Sequence, residues 1–302
     1  MIMDEASRAE LEALLEDLKV ERGFDFTGYK RASLVRRIRR RMSEVGAGSL
    51  AEYRDRLEED GDEFIRLFNT ILINVTDFFR DPEPWEHLRT AIIPRLVGSK
   101  DASEPIRVWS AGCAGGQEAY TLAMLLAEEL GMERFRDRVK IFATDVDEMA
   151  LSEGRQGRYP ADRVESVPEA LRNRYLEADD GGYTLSEELR RTIVFGRHDL
   201  IQEAPIRQID LLACRNTLIY FKAETQSSIL ARLHCALEES GFLFLGSAEM
   251  LLMHGHLFAP VDLRQRIFAK VPGSGERGRV IAAHRPAWQR PGSAEGFHPG
   301  GI

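Results

Sequence analysis

Residues 108–125, VWSAGCAGGQEAYTLAML, begin as a strand, crowd small residues into a turn and continue as an amphipathic helix. Strand, tight turn and helix start are the parts of many nucleotide sites, because free backbone amides at a helix N-terminus attract anions. The turn reads Gly112, Cys113, Ala114, Gly115, Gly116, which is not the G-x-G-x-x-G spacing that cradles a pyrophosphate. Glu118, just inside the helix, would also repel a phosphate. An acid there suits a cation, and an adenosine ligand without phosphates fits better: S-adenosylmethionine carries an ammonium and a sulfonium. A second acid, Asp145, ends the next apolar run, IFATD, where sheets of this class bind ribose hydroxyls. A plainer reading stays open, in which the small residues only permit close strand–helix packing and Asp145 caps the helix of DEMAL.

Other chemistries find little support. No Ser-His-Asp constellation stands out. Cys113, Cys214 and Cys235 form no CxxC and no Cys/His cluster at zinc spacing, so neither a metal nor a structural disulfide is expected. The acidic start MIMDEASRAE lacks the layout of a secretion signal, and no apolar run nears the roughly 18 residues of a membrane span. A cytoplasmic protein without membrane insertion is expected. The net charge of −8 argues against general affinity for nucleic acid. Residues 30–41, KRASLVRRIRRR, nevertheless hold seven basic side chains and no acid, which suggests one acidic partner.

These groups must be positioned by two kinds of element. From about 5 to 97 the apolar residues recur at three- and four-residue intervals, and ASRAELEALLEDL, SLVRRIRRRMSEV, SLAEYRDRLEE and DEFIRLFNTILIN read as helices. After Pro105 short apolar runs (IRVWSAG, VKIFATD, IDLLAC, FLFLG) alternate with helical stretches, the pattern of a mostly parallel α/β sheet. RYLEADDGGYTLS interrupts the alternation as a hairpin turning at DDGG, followed by a strand in TIVFG. The division expected is 1–97 helical, 98–270 α/β with a β insertion at about 155–195, and a disordered tail or linker at 271–302, which holds eleven Pro or Gly.

Five separated motifs, in this order, resemble the CheR-type chemotaxis receptor methyltransferases: INVTDFFRDPEPW at 73–85, WSAGCAGGQEAYTLAM at 109–124, ATDVD at 143–147, FGRHDL at 195–200 and CRNTLIYF at 214–221. The resemblance covers about residues 10–270. It implies a helical N-terminal domain, a Rossmann-like S-adenosylmethionine-binding domain with a small inserted antiparallel β-subdomain, and methyl transfer to glutamates of chemoreceptors. It carries Asn74, Thr76, Arg80, Gly112, Glu118, Asp145, Asp199, Leu200, Arg215 and Asn216 over as cofactor-binding positions. Two positions depart from the usual pattern: Gln117 stands where many relatives have a second acid, and Asp199 where many have Asn. A carboxylate at 199 cannot donate a hydrogen bond to adenine.

Glutamate methylation requires no general base, since a free side chain of pKa about 4.3 is already anionic at pH 7. Arg80 is the candidate to orient the incoming or the cofactor's carboxylate, or else an interdomain salt bridge, and Tyr220 to bound the transfer site or fill core. Asn216-Thr217-Leu218 lacks the proline pair that enzymes methylating amino groups commonly show here. On the basic segment, Leu34, Val35, Ile38, Met42 and Val45 share one helical face, with Arg36 and Arg40 opposite and Arg37, Arg39 and Arg41 on the flanks. Arg36, Arg37 and Arg40 are the candidate docking residues for the acidic helices of chemoreceptor cytoplasmic domains, the alternative being a solvated face. A nucleic-acid methyltransferase and a non-catalytic cofactor-binding regulator are the rival functions, and a monomer is expected.

Overall fold

The computed structural model describes residues 5–22, 24–72, 74–249, 251 and 255–273. The tail expected to be disordered lies, from 274 on, outside the described residues. The first four helices are α1 (Glu5–Arg22), α2 (Arg31–Val45), α3 (Leu50–Glu59) and α4 (Gly61–Ile71). They form where the stripes fall: Leu11, Leu14, Leu15 and Leu18 of α1 and Leu34, Ile38 and Met42 of α2 are all buried. Ser49 accepts from the Glu52 amide to start α3, and Asp60 ends α3 while its carboxylate accepts from Asp62 and Glu63 to start α4. The helix read through Asn74 stops at Ile71, because Leu72 turns to extended backbone. α5 (Pro82–His87) passes through a π turn at Leu88–Ile92 into α6 (Ile93–Gly98), where Pro94 lacks the amide that would continue the ladder.

The second part runs β1 (Ile106–Ala111), α7 (Gln117–Leu130), α8 (Met132–Arg138), β2 (Val139–Asp145), α9 (Glu148–Gln156), β3 (Arg158–Tyr159), α10 (Glu169–Tyr175), β4 (Leu176–Asp179), β5 (Gly182–Leu185), α11 (Glu187–Thr192), β6 (Ile193–Arg197), β7 (Ile209–Cys214), α12 (Ala223–Ala236), β8 (Leu237–Leu245), β9 (Phe258–Asp262) and β10 (Ile267–Lys270). The large sheet has the order β6-β2-β1-β7-β8-β10-β9, parallel through β8, with β10 antiparallel to both neighbours. β3, β5 and β4 make the small antiparallel sheet, and β4 and β5 are the two arms of the expected hairpin. The Rossmann-like fold with a helical N-terminal domain and β insertion is as the sequence implied. The closing antiparallel pair β9–β10 carries no comparable apolar run, and sequence reading did not place it.

Two buried clusters lie on opposite faces of the sheet. One joins α7 to β1, β2 and the small β insertion. The other runs from Leu11 and Leu34 of the N-terminal helices through Tyr29 and Phe221 to Trp109, Leu212 and α12, so the helical part shares its core with the sheet. Among the described residues no helix is long and apolar enough to cross a membrane.

Candidate active site

β1 pairs with β2 on one side and β7 on the other, so the connections leaving β1 and β7 diverge and open a crevice at the strands' C-terminal ends, where α/β sheets bind ligands. The crevice is a cleft of about 950 Å³, open to solvent, lined from below by Gly112, Asp145, His198 and Arg215. From above it is covered by Tyr29, Ile71, Leu72 and residues 74–77 and 80, which follow or belong to the helical part. Asn74, Thr76, Arg80, Gly112, Glu118, Asp145, Asp199, Leu200, Arg215, Asn216 and Tyr220, singled out from sequence, all line this one cleft.

The small-residue turn both packs and makes room. Gly116 (φ +90°) and Gly154 lie against the Phe195 ring, which is the packing role. Gly112 (φ +81°) faces Thr217 so closely that a Cβ would collide with its hydroxyl, and the Gly112 and Cys113 amides both donate to the Thr144 carbonyl at 2.8 and 2.9 Å. Ala114 holds a left-handed φ of +46°, and its amide donates 2.9 Å to Asp145 Oδ2. Of the non-glycine residues with left-handed backbone, Ala114 and Asn216 line this cleft, and Phe79 and Asp81 flank the lining residue Arg80.

Asp145 is not the helix cap. Asp147 accepts from the Met149 and Ala150 amides to start α9 and also receives the Asn74 side-chain amide. Asp145 instead bridges the Ala114 and Asp147 amides at the floor of the cleft, and burial pushes its carboxyl above the ordinary value. Glu118 is buried in the first turn of α7 and accepts 2.7 Å from Ser110 Oγ. Burial raises its pKa too, against the pull of the Arg215 guanidinium and the Ser110 hydroxyl. Arg215 is occupied elsewhere: it donates to the Arg80 carbonyl and the Asp81 carboxylate and lies between the Trp85 and Phe244 rings, at 4.9 and 4.8 Å. A buried carboxylate so weakly compensated favours a cationic ligand group.

Asp199 accepts from the Ile201 and Gln202 amides and from Gln202 Nε2, so its carboxylate largely holds its own turn, while Leu200 gives the cleft an apolar wall. Arg80 donates 3.0 Å to the Val75 carbonyl and has no carboxylate partner among the described residues, so the interdomain salt bridge is not formed. Asn216 sits at φ +59° on a loop whose amides at 216, 217 and 218, with that of Gly246, all donate to the buried carboxylate of Glu249.

One docking residue needs correction. Arg37 is buried, not on the exposed flank of α2. It stands three residues after Leu34 and so shares the inward stripe, donates to the Ile71 carbonyl at the open end of α4, and lies 5.3 Å over the Tyr220 ring. Elsewhere in the basic run, Arg41 makes a paired contact with Glu63, and Arg31 with Glu12. Lys30, Arg36, Arg39 and Arg40 remain exposed, Arg40 beside Glu44. Sequence reading also missed Tyr29, His198 and Glu249. Glu249, an acid just beyond the apolar run FLFLG, had the same strand-end signal as Asp145; Tyr29 had none.

A pH dependence follows from Glu118. Its carboxyl titrates above the ordinary carboxylate value in the free protein, and a bound cation would hold it ionised. Binding then releases a proton, so affinity for S-adenosylmethionine should rise with pH across that titration, by at most about tenfold per pH unit for this group. Calorimetry in buffers of different ionisation enthalpy measures the release. Glu118→Gln should reduce it, and undiminished release in that variant would assign the proton to another group.

Residues 74–267 match the family described as CheR methyltransferase, SAM binding domain, and residues 9–72 the CheR methyltransferase all-alpha domain. A chemotaxis protein methyltransferase of Borreliella burgdorferi is 31% identical over 252 residues, covering 81% of this chain and 89% of that protein. One from Listeria innocua is 34% identical over 239 residues, covering 78% and 87%. An uncharacterized 104.1 kDa protein of Rhodobacter capsulatus is 36% identical over 283 residues; the match takes in 92% of this chain but 30% of that longer protein.

Proposed function

The chain belongs to the CheR methyltransferase family, and from that premise we propose that it uses S-adenosylmethionine to methylate glutamate side chains of chemoreceptors in the cytoplasm, leaving glutamate methyl esters and S-adenosylhomocysteine. The observation that carries the proposal is Glu118, a buried and incompletely compensated carboxylate facing the cleft at the sheet's switch point. It fits the cationic end of this cofactor, as the acceptor Asp145 fits ribose hydroxyls and side-chain-free Gly112 fits close approach. When bound, S-adenosylmethionine supplies a methyl group on a cationic sulfur, which a carboxylate oxygen can accept as the C–S electron pair passes to sulfur.

The protein's own task is then alignment and exclusion of water. Holding two reactants in register can contribute roughly 7–11 kcal/mol, and a dry site helps opposite charges disperse. Arg80, with no carboxylate partner among the described residues, and Tyr220 line the cleft where an incoming carboxylate would be held. The loop after Asn216 offers no proline pair, so a carboxylate acceptor is favoured over an amino group. Support for an acidic receptor helix as substrate comes from α2, whose exposed Arg36, Arg39 and Arg40, with Lys30 just before its start, lie on the element that also carries Arg37, over Tyr220 at the cleft.

Receptor cytoplasmic fragments incubated with methyl-labelled S-adenosylmethionine should take up label that mild base releases as methanol. Base-stable label would exclude carboxylate methylation. In the same assay Arg36→Glu/Arg39→Glu, at exposed positions where substitutions usually shift stability by about 0.5 kcal/mol or less, should raise KM for receptor without weakening cofactor binding. Wild-type activity should fall as salt screens the patch. Normal methylation by this variant at low salt would remove α2 from docking.

A further inference from the structure

Tyr29 lies on the short segment between α1 and α2, outside every motif that points to the cofactor, yet it reaches the cleft. The segment is clamped to the methyltransferase sheet side like a one-residue strand. Lys222 N donates to the Gly28 carbonyl and Lys30 N to the Tyr220 carbonyl, both at 2.9 Å, so that Tyr29 bridges Phe221 in antiparallel fashion. Gly28 permits this closeness, since a Cβ there would press on Ile201 and Thr225 at 3.0 Å. The Tyr29 ring is packed edge-on against Phe221, with centroids 4.7 Å apart, and the residue is 7% exposed. Ring and backbone are therefore fixed from both sides.

The hydroxyl is not. Among the described residues it has no hydrogen-bond partner, although a buried phenol normally finds one. It is not an enclosed orphan either, because it does not fall among the solvent-sealed polar atoms that lack partners. Its residue lines the cleft together with Asp145 and Asp199, and the phenol lies within electrostatic reach of both carboxylates. Burial and those two carboxylates keep the phenol protonated, pushing its pKa well up. This end of the cleft is otherwise rich in acceptors: Asp145 and Asp199 are carboxylates, and the Asp199 carboxylate can donate nothing to an adenine ring nitrogen.

We propose that the Tyr29 hydroxyl is a direct hydrogen-bond donor to the nucleoside half of S-adenosylmethionine, supplying from the helical domain the donor that Asp199 cannot. The proposal rests on the cofactor assignment above. It makes the helical domain part of the cofactor site as well as a docking surface, because the same segment leads directly into basic α2.

The test is calorimetry on wild type and Tyr29→Phe with three ligands: S-adenosylhomocysteine, 5′-methylthioadenosine and methionine. Phe keeps the ring contacts, so the melting temperature should hold. Loss of one hydrogen bond should weaken both nucleoside ligands by roughly three- to tenfold, and by the same factor for each. Glu118→Gln should weaken S-adenosylhomocysteine and spare 5′-methylthioadenosine. Equal affinities in wild type and Tyr29→Phe would overturn the proposal while leaving the cofactor assignment intact. Failure of wild type to bind S-adenosylhomocysteine would overturn that assignment instead. If the variant lost stability, wild-type protein labelled at tyrosine Cζ gives the answer: the Tyr29 resonance should move with 5′-methylthioadenosine and stay with methionine. A resonance indifferent to the nucleoside would overturn the proposal.

Discussion

Replacing Asp145 with alanine is expected to raise the dissociation constant for S-adenosylmethionine by about a hundredfold or more in a protein that remains folded. Each hydrogen bond from a ribose hydroxyl to an ionised acceptor is worth roughly 1.5–3 kcal/mol, and each 1.4 kcal/mol is tenfold in affinity. The same side chain also ties the turn to the sheet, accepting from Ala114 at 2.9 Å and Asp147 at 3.0 Å. Ala114, held at φ +46°, would lose the anchor that keeps it in that conformation. Asp145→Asn separates the two contributions, because an amide oxygen can keep one tie but not the charge. Calorimetry on both variants, with circular dichroism to establish folding, makes the measurement. Unchanged affinity in folded Asp145→Ala would reduce Asp145 to a brace for the turn.

Glu249→Gln should cost roughly 2–5 kcal/mol of stability and weaken cofactor binding with it. One carboxylate oxygen accepts from the Thr217 and Leu218 amides and the other from Gly246 and Asn216, at 2.6 to 3.1 Å. Glutamine must present an NH₂ to one of these pairs, so two N–H donors face another donor in a site that is 3% exposed. Burial pushes the Glu249 carboxyl up while the four donors pull it down, the balance of a charge held by backbone alone. The loop it pins carries Arg215, Asn216 and Thr217 into the cleft, so loosening it removes part of the cofactor's wall. Denaturant unfolding and a binding isotherm on the same sample test both halves. A stability change under about 0.5 kcal/mol, the usual scale of exposed substitutions, would show that solvent satisfies these amides and that the loop does not depend on Glu249.

What can be read along the chain is what depends on neighbours in sequence. The stripe Leu34, Ile38, Met42 made α2, the buried run IDLLAC made β7, and DDGG turned the hairpin, because helix and strand periods report directly which side of a segment is apolar. Glu118 stood out because an acid where a phosphate site would have none implies a different ligand, and Asp145 because it ends a strand where sheets of this class bind ribose. The five motifs, by resemblance, added Asn74, Thr76, Arg80, Asp199, Leu200, Arg215 and Asn216, and the fold carries all of them to one cleft.

Periodicity does not say what covers a charge or fills a gap from elsewhere in the chain. Arg41 was a bare cation in sequence and meets Glu63 from α4, and Arg37 turned inward to reach the Ile71 carbonyl. Whether Asp145 or Asp147 caps α9 was decided by where β2 ends against the turn after β1, a contact between residues 31 apart. Arg215 was assigned to the cofactor, yet its guanidinium is held by the Arg80 carbonyl 135 residues away and by two aromatic faces. Tyr29 had no signal because its position is set by backbone pairing with residues 220–222; Glu249 had a strand-end signal, but its partners could not be read because they are amides, which every sequence has everywhere. Local pattern therefore determined the elements and the sign of the site's charge. The partner of each charge, and the donor left free to face the cleft, depended on long-range packing, since hydrogen bonds and ion pairs act over a few ångströms of space whatever the separation along the chain.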